Sequence, residues 1–259
     1  MYIYSDALQD FTEGLFNSLR IDKIIRPVYY NLSLRKLLLK ICKYNLVMHI
    51  LPALILIFFN GRLLYPIIYA INIFSIMFHL LHYMDLTNIM SGYIVKSSKN
   101  IGKIEIISLA ITMSIYQLVM YLTTTIIFLI FHDRMYWVSV CLNFFITTIY
   151  HSFYCYNNLW HCKKMQLAHR INIHEKMWPY YLGYGTFATI IYTYTDNLYV
   201  LVLYNLYLCL VIMLPFIMEI KYPRKEQTYP QINLFIFSYI TGWIFNISKY
   251  ITNVKTNDD

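Results

Sequence analysis

Histidines are the side chains in this sequence best suited to chemistry near neutral pH, and their spacing decides what they could do. His79 and His82 stand three apart on one helix face, while His151 and His161 flank the end of another apolar run. A membrane di-iron centre needs several ligands converging in tight histidine clusters. A single His-x-x-His pair falls short of that, and hydrogen bonding at an interface is the better use of these rings. Cys42, Cys141, Cys155, Cys162 and Cys209 contain no Cys-x-x-Cys pair, so neither a zinc cage nor a disulfide framework is indicated. No phosphate-cradling glycine loop, Gly-x-Ser-x-Gly elbow or His-Glu-x-x-His helix occurs. Gly183-Tyr184-Gly185 is too short for a nucleotide loop and suits close helix packing instead. Glu175, Asp133 and Asp196 lie at or beyond the ends of apolar runs, whereas a proton-coupled carrier usually holds an acid at membrane depth. The expectation is a protein without catalytic residues, cofactor or metal.

The elements that carry these residues are apolar. Of 259 residues, 59% are hydrophobic and only 13% charged, against roughly a quarter charged in an ordinary soluble domain. A spanning helix needs about 20 mostly apolar residues. The sequence predicts such segments at 44–60, 63–84, 104–131, 136–160, 178–195 and 198–218, with a seventh, 232–250, interrupted by Asn233, Gly242, Asn246 and Ser248. The connections alternate between rich and poor in Lys and Arg, as the positive-inside bias requires for six crossings with a cytosolic N-terminus. The predicted fold class is thus an all-α, polytopic membrane bundle. Residues 1–43 form a cytosolic amphipathic region, 44–250 the membrane domain and 251–259 a polar tail. Asn and Tyr inside the spans, and Pro52 in the shortest, leave re-entrant hairpins open as an alternative to full crossings. The net charge of +8 sits beside apolar runs, which points to membrane lipids and not to nucleic acid. Over 31–43, Arg35, Lys36, Lys40 and Lys43 oppose Leu34, Leu37, Leu38 and Ile41, the pattern of a helix lying among headgroups.

The stretch 151–185 holds the most specific signal. It joins a span end, a basic connection and an abrupt re-entry at Trp178-Pro179, where Pro fits the first turn of a helix. Arg170 and Glu175, five apart, could pair only across a break in the helix. His151, Ser152, Tyr154, Cys155, Trp160, Arg170, Glu175, Trp178, Pro179, Tyr180, Tyr181, Gly183 and Gly185 resemble the signature of the etoposide-induced family of endoplasmic reticulum membrane proteins. Phe11, Gly14 and Ser18-Leu19-Arg20 are similar to that family's amphipathic N-terminal region. The resemblance implies a multi-pass protein of the endoplasmic reticulum that supports autophagosome formation or maturation, and organelle contacts, through autophagy proteins, other membrane proteins and lipids. A more distant likeness, to sulfate permeases of the CysZ type, lies in Ser33-Leu34-Arg35-Lys36, where Ser stands for Gly and Lys for an Arg. It implies an anion or lipid-headgroup contact at Arg35 and Lys36, and an anion permease as the alternative function.

Overall fold

Apolar runs bounded by polar turns fold as helices among the residues that the computed structural model describes, which are 2–58, 85–86, 89–90, 118–131, 135–195, 198–218 and 229–232. Among the described residues there is no strand. The helices are α1 (Tyr2–Leu19), α2 (Asp22–Tyr30), α3 (Leu32–Phe58), α4 (Leu118–Phe131), α5 (Tyr136–Cys162), α6 (Leu167–Lys176), α7 (Trp178–Thr193) and α8 (Leu198–Ile217). The expected spans at 63–84 and 232–250 lie outside the described residues, apart from Ile232, as do 59–60 and 104–117 of two others. His79, His82, Asp133 and Asp196 also lie outside them, as do Arg62, Lys96, Lys99, Lys103, Arg134, Lys221, Arg224 and Lys225 of the connections that supported the crossing count.

Helix ends follow local chemistry. Asn31 leaves the helical region, and its side-chain oxygen accepts the Leu34 N–H at 3.0 Å, which caps α3. From there α3 runs without a break from the amphipathic stretch into the apolar one and stays helical through Pro52. The end of α5 closes as a Schellman turn. The Met165 N–H reaches the Trp160 carbonyl at 3.0 Å and the Lys164 N–H reaches His161 at 2.8 Å. Lys164 takes the left-handed position, with φ 55°, that glycine usually fills. Pro179 occupies the first turn of α7, where an absent N–H costs nothing.

Two glycine-lined crossings set the packing. α7 lies against α1, α5, α6 and α8. A Cβ on Gly14 of α1 would overlap the Tyr180 carbonyl, and one on Gly183 would overlap the Phe11 carbonyl. On the other side of α7, a Cβ on Gly185 would overlap the Thr148 carbonyl of α5. Backbone thus meets backbone at both crossings, which only glycine permits. α1 is therefore built into the bundle and does not stand apart from it.

Among the described residues, α5 is the helix both long and apolar enough to cross a bilayer, while α4 and Val202–Ile217 of α8 are shorter apolar helices. The burial of α5 is uneven. From Thr147 to Trp160 nearly every side chain is buried, whereas Tyr136, Trp137, Val138, Val140, Leu142 and Phe144 are exposed. The same divide crosses the neighbouring helices. Tyr192 of α7, Tyr194 just past its end, and Tyr199 and Leu203 of α8 are exposed, while Tyr180–Tyr184 and Tyr207–Phe216 are largely buried.

Candidate functional site

The residues carrying the family resemblance converge where α5, α6 and α7 meet. Residues four apart share a helix face, so Ser152, Tyr156 and Trp160 line one face of α5. Arg170 and His174 do so on α6, and Tyr181, Gly185 and Thr189 on α7. Trp160, Tyr156, Tyr180, Tyr181, Tyr184 and Phe153 are the largest fully buried side chains, and they pack as one knot. Tyr156 meets Tyr184 edge-on at 4.9 Å and Tyr181 at 5.1 Å, and His174 stacks on Tyr181 at 4.4 Å. Such aromatic pairs add about 0.5–1.5 kcal/mol each beyond their buried area.

Polar groups inside the knot find partners across helices. Arg170 donates through Nε to the Met165 carbonyl at 2.8 Å, through Nη1 to Asn157 Oδ1 at 2.8 Å, and through Nη2 to His161 Nδ1 at 3.4 Å. One guanidinium thereby ties the Schellman turn, α5 and α6 together. Burial pulls it down to about 10, partly offset by Cys162, so it stays cationic at neutral pH. α6 is unbroken, and Arg170 and Glu175 take separate partners: Glu175 Oε2 accepts from Gln231 Nε2 at 3.2 Å. Tyr156 and Tyr180 share a hydrogen bond at 2.9 Å, and Asn17 of α1 donates to the Tyr180 hydroxyl at 3.2 Å. The Tyr207 hydroxyl donates to the Ser18 carbonyl at 3.2 Å, and Tyr229 donates to Asp10 at 2.6 Å.

The two buried histidines each hydrogen-bond to hydroxyl groups of neighbouring residues. Thr189 Oγ1 lies 2.8 Å from His151 Nδ1 and 3.1 Å from the Gly185 carbonyl, so its one hydroxyl proton goes to one or the other. On the other side of the ring, His151 Nε2 and the Tyr204 hydroxyl share a hydrogen bond at 2.8 Å. Ser152 donates to the Ile149 carbonyl at 2.9 Å and accepts from His174 Nε2–H at 2.9 Å. His174 Nδ1 has no hydrogen-bond partner among the described residues, which suits a neutral ring. Burial lowers the His174 pKa to about 3.

This geometry bears on chemistry. A Ser–His contact could suggest a nucleophile with its base, but here the serine proton points to a backbone carbonyl and the imidazole is the donor. Both side chains are also fully buried. Among the described residues, no group of three or more His, Cys, Asp or Glu is placed to hold a metal.

The structure brings His151, Ser152, Cys155, Trp160, Arg170, Glu175, Pro179, Tyr180, Tyr181, Gly183 and Gly185 into the interior, with Tyr154 partly buried against it. Trp178 stands at the rim, where its Nε1 donates to the Pro230 carbonyl at 3.1 Å. Arg35 and Lys36 are distant from this knot in the chain and exposed on α3. Sequence reasoning passed over His174, Asn157, Tyr156, Thr189 and Tyr204. The four-residue ladders from Ser152, Arg170 and Gly185 would have found Tyr156, His174 and Thr189. Asn157 and Tyr204 carry no comparable local signal.

The uncharacterized protein L211 of Acanthamoeba polyphaga mimivirus is 40% identical over 259 residues, covering 97% of this chain and 98% of its own length. No family model matches the chain, and no solved structure does.

Proposed function

This chain belongs to the family of that mimivirus protein, and we propose that it is a non-enzymatic, multi-pass endoplasmic reticulum membrane protein, N-terminus cytosolic, that supports autophagy through protein and lipid contacts. The observation that carries the reading is where the signature residues lie. His151, Ser152, Trp160, Arg170, Tyr180, Tyr181, Gly183 and Gly185 form the framework joining α1, α5, α6 and α7. A resemblance concentrated in the framework speaks for shared architecture, and the etoposide-induced family's role follows from it as an expectation for the whole chain. The exposed apolar ends of α5, α7 and α8 support residence in lipid, because a large unpaired apolar surface is costly in water.

The test is a tagged copy expressed in a eukaryotic cell, with deletion of the gene in its native setting. Reticulum localisation and impaired autophagic flux are expected. Plasma-membrane residence, or normal flux with undisturbed reticulum morphology, would overturn the proposal. The alternative, an anion permease, draws on the exposed cations of α3. It requires sulfate flux into liposomes that falls when Arg35 and Lys36 are neutralised.

A further inference from the structure

α3 turns two opposite faces outward and inward. Leu34, Leu37, Leu38 and Ile41 are buried against the bundle, with Leu34 and Ile41 at 0% and 1% exposure. The outward face carries Lys36, Lys40 and Lys43 at helical spacing, interleaved with Leu39, Tyr44 and Val47. Together these six residues line an open groove of about 560 Å³ along the helix. Among the described residues, no carboxylate pairs with any of the three lysines.

We propose that this groove is a docking site for an anionic phospholipid. The inference rests on the membrane residence proposed above and adds a ligand class to it. Three cations within about 10 Å, at a rise of roughly 1.5 Å per residue, exceed what one zwitterionic headgroup neutralises. They match a phosphodiester that carries a further negative group. The apolar neighbours fit the rest of the molecule: Leu39 and Val47, 56% and 58% exposed, offer hydrocarbon contact to the glycerol region and the first acyl carbons. α3 continues without interruption from this groove into its apolar half, so the lysines stand at the level where the helix would leave the headgroup layer. Basic side chains there attract anionic lipid, and their long stems can reach upward to phosphate. A topology anchor needs only positive charge near a span. It does not need the cations aligned on one face around an apolar floor. Arg35, exposed but outside the groove lining, is such a charge.

The experiment uses the full chain purified in detergent and incubated with equal phosphatidylserine and phosphatidylcholine, with retained lipid quantified by mass spectrometry after gel filtration. Phosphatidylserine should be enriched at least fivefold. K36Q/K40Q/K43Q should bring the ratio close to one, while K36R/K40R/K43R should keep it, which separates loss of charge from misfolding. Neutralising Arg20 and Lys23 on neighbouring elements should leave it unchanged. Equal retention of the two lipids by the unaltered protein would overturn the proposal. So would persistent enrichment in the glutamine variant, or displacement of phosphatidylserine by millimolar inorganic phosphate, which would mark a site for a free anion. Alkaline carbonate extraction of cell membranes tests membrane residence separately: release of the chain would sink that reading whatever the lipid ratio.

Discussion

Arg170 and His174 show what single residues contribute to this fold. The guanidinium makes its contacts with the planar fork that only arginine has, and it is 8% exposed. R170K should cost about 2 kcal/mol, since charge-assisted hydrogen bonds are worth about 1.5–3 kcal/mol each and lysine can recover only part of them. Denaturant unfolding in detergent measures this. His174 gives the pH dependence. Its folded pKa of about 3 lies below the ordinary 6.5, so between those values the unfolded chain takes up a proton that the folded chain refuses. The contribution is intact above pH 6.5 and is lost as the pH falls towards 3, by at most about tenfold in the folding equilibrium per pH unit. H174Q keeps a donor for Ser152 but does not titrate. Its thermal midpoint should fall less than that of the unaltered protein between pH 7 and pH 4, and parallel curves would refute the assignment. Arg170 was legible in the sequence as a signature position. Its partners were not: the Met165 carbonyl becomes available only once the Schellman turn has formed, and no side-chain pattern announces a backbone acceptor.

At the scale of elements, helix position was legible and helix company was not. Apolar run length and the Trp178-Pro179 start placed α5, α7 and α8 within a few residues of their observed bounds. Nothing local showed that α1, with its acidic residues, packs backbone-to-backbone on α7. That contact depends on Gly14 and Gly183, 169 positions apart in the numbering, and reading it requires the crossing geometry. G183A should destabilise the bundle by about 1–3 kcal/mol, the usual range for overpacking, because the new methyl would meet a carbonyl of α1 that is fixed in its own helix. G14A should do the same from the other side, and G14A/G183A should cost less than the sum, since separating the helices once relieves both clashes. K164G should act in the opposite direction. Left-handed backbone costs a non-glycine residue roughly 1–2 kcal/mol, and Lys164 is exposed, so removing its side chain should raise the unfolding midpoint. Unchanged stability in K164G would mean that the lysine stem makes compensating contacts.

For the whole molecule, the contact of His151 with Thr189 and Tyr204 marks a boundary. α5, α7 and α8 meet there, with Tyr192 stacked edge-on at 5.4 Å from His151. On the α6 side of this level α5, α7 and α8 bury most of their side chains in the bundle. On the other side it presents them outward, with Tyr136, Trp137, Tyr194 and Tyr199 at 50%, 75%, 65% and 83% exposure. Tyr and Trp prefer the membrane–water boundary, so this half should sit in lipid with its aromatic residues towards one interface. Cys141 reports on that directly. It lies exposed on α5 between Val140 and Leu142, whereas Cys155 and Cys209 are buried in the protein. A thiol reacts as its thiolate, and neither a thiolate nor a charged reagent enters hydrocarbon readily. In intact membranes, Cys141 should therefore resist a charged maleimide despite its exposure, and should react once detergent admits a neutral one. Cys155 and Cys209 should stay unreactive in both conditions until the chain unfolds. Quantifying labelled peptides separates the sites. Rapid labelling of Cys141 by the charged reagent in sealed vesicles would place the apolar half in water and leave the divide at His151 without a lipid explanation.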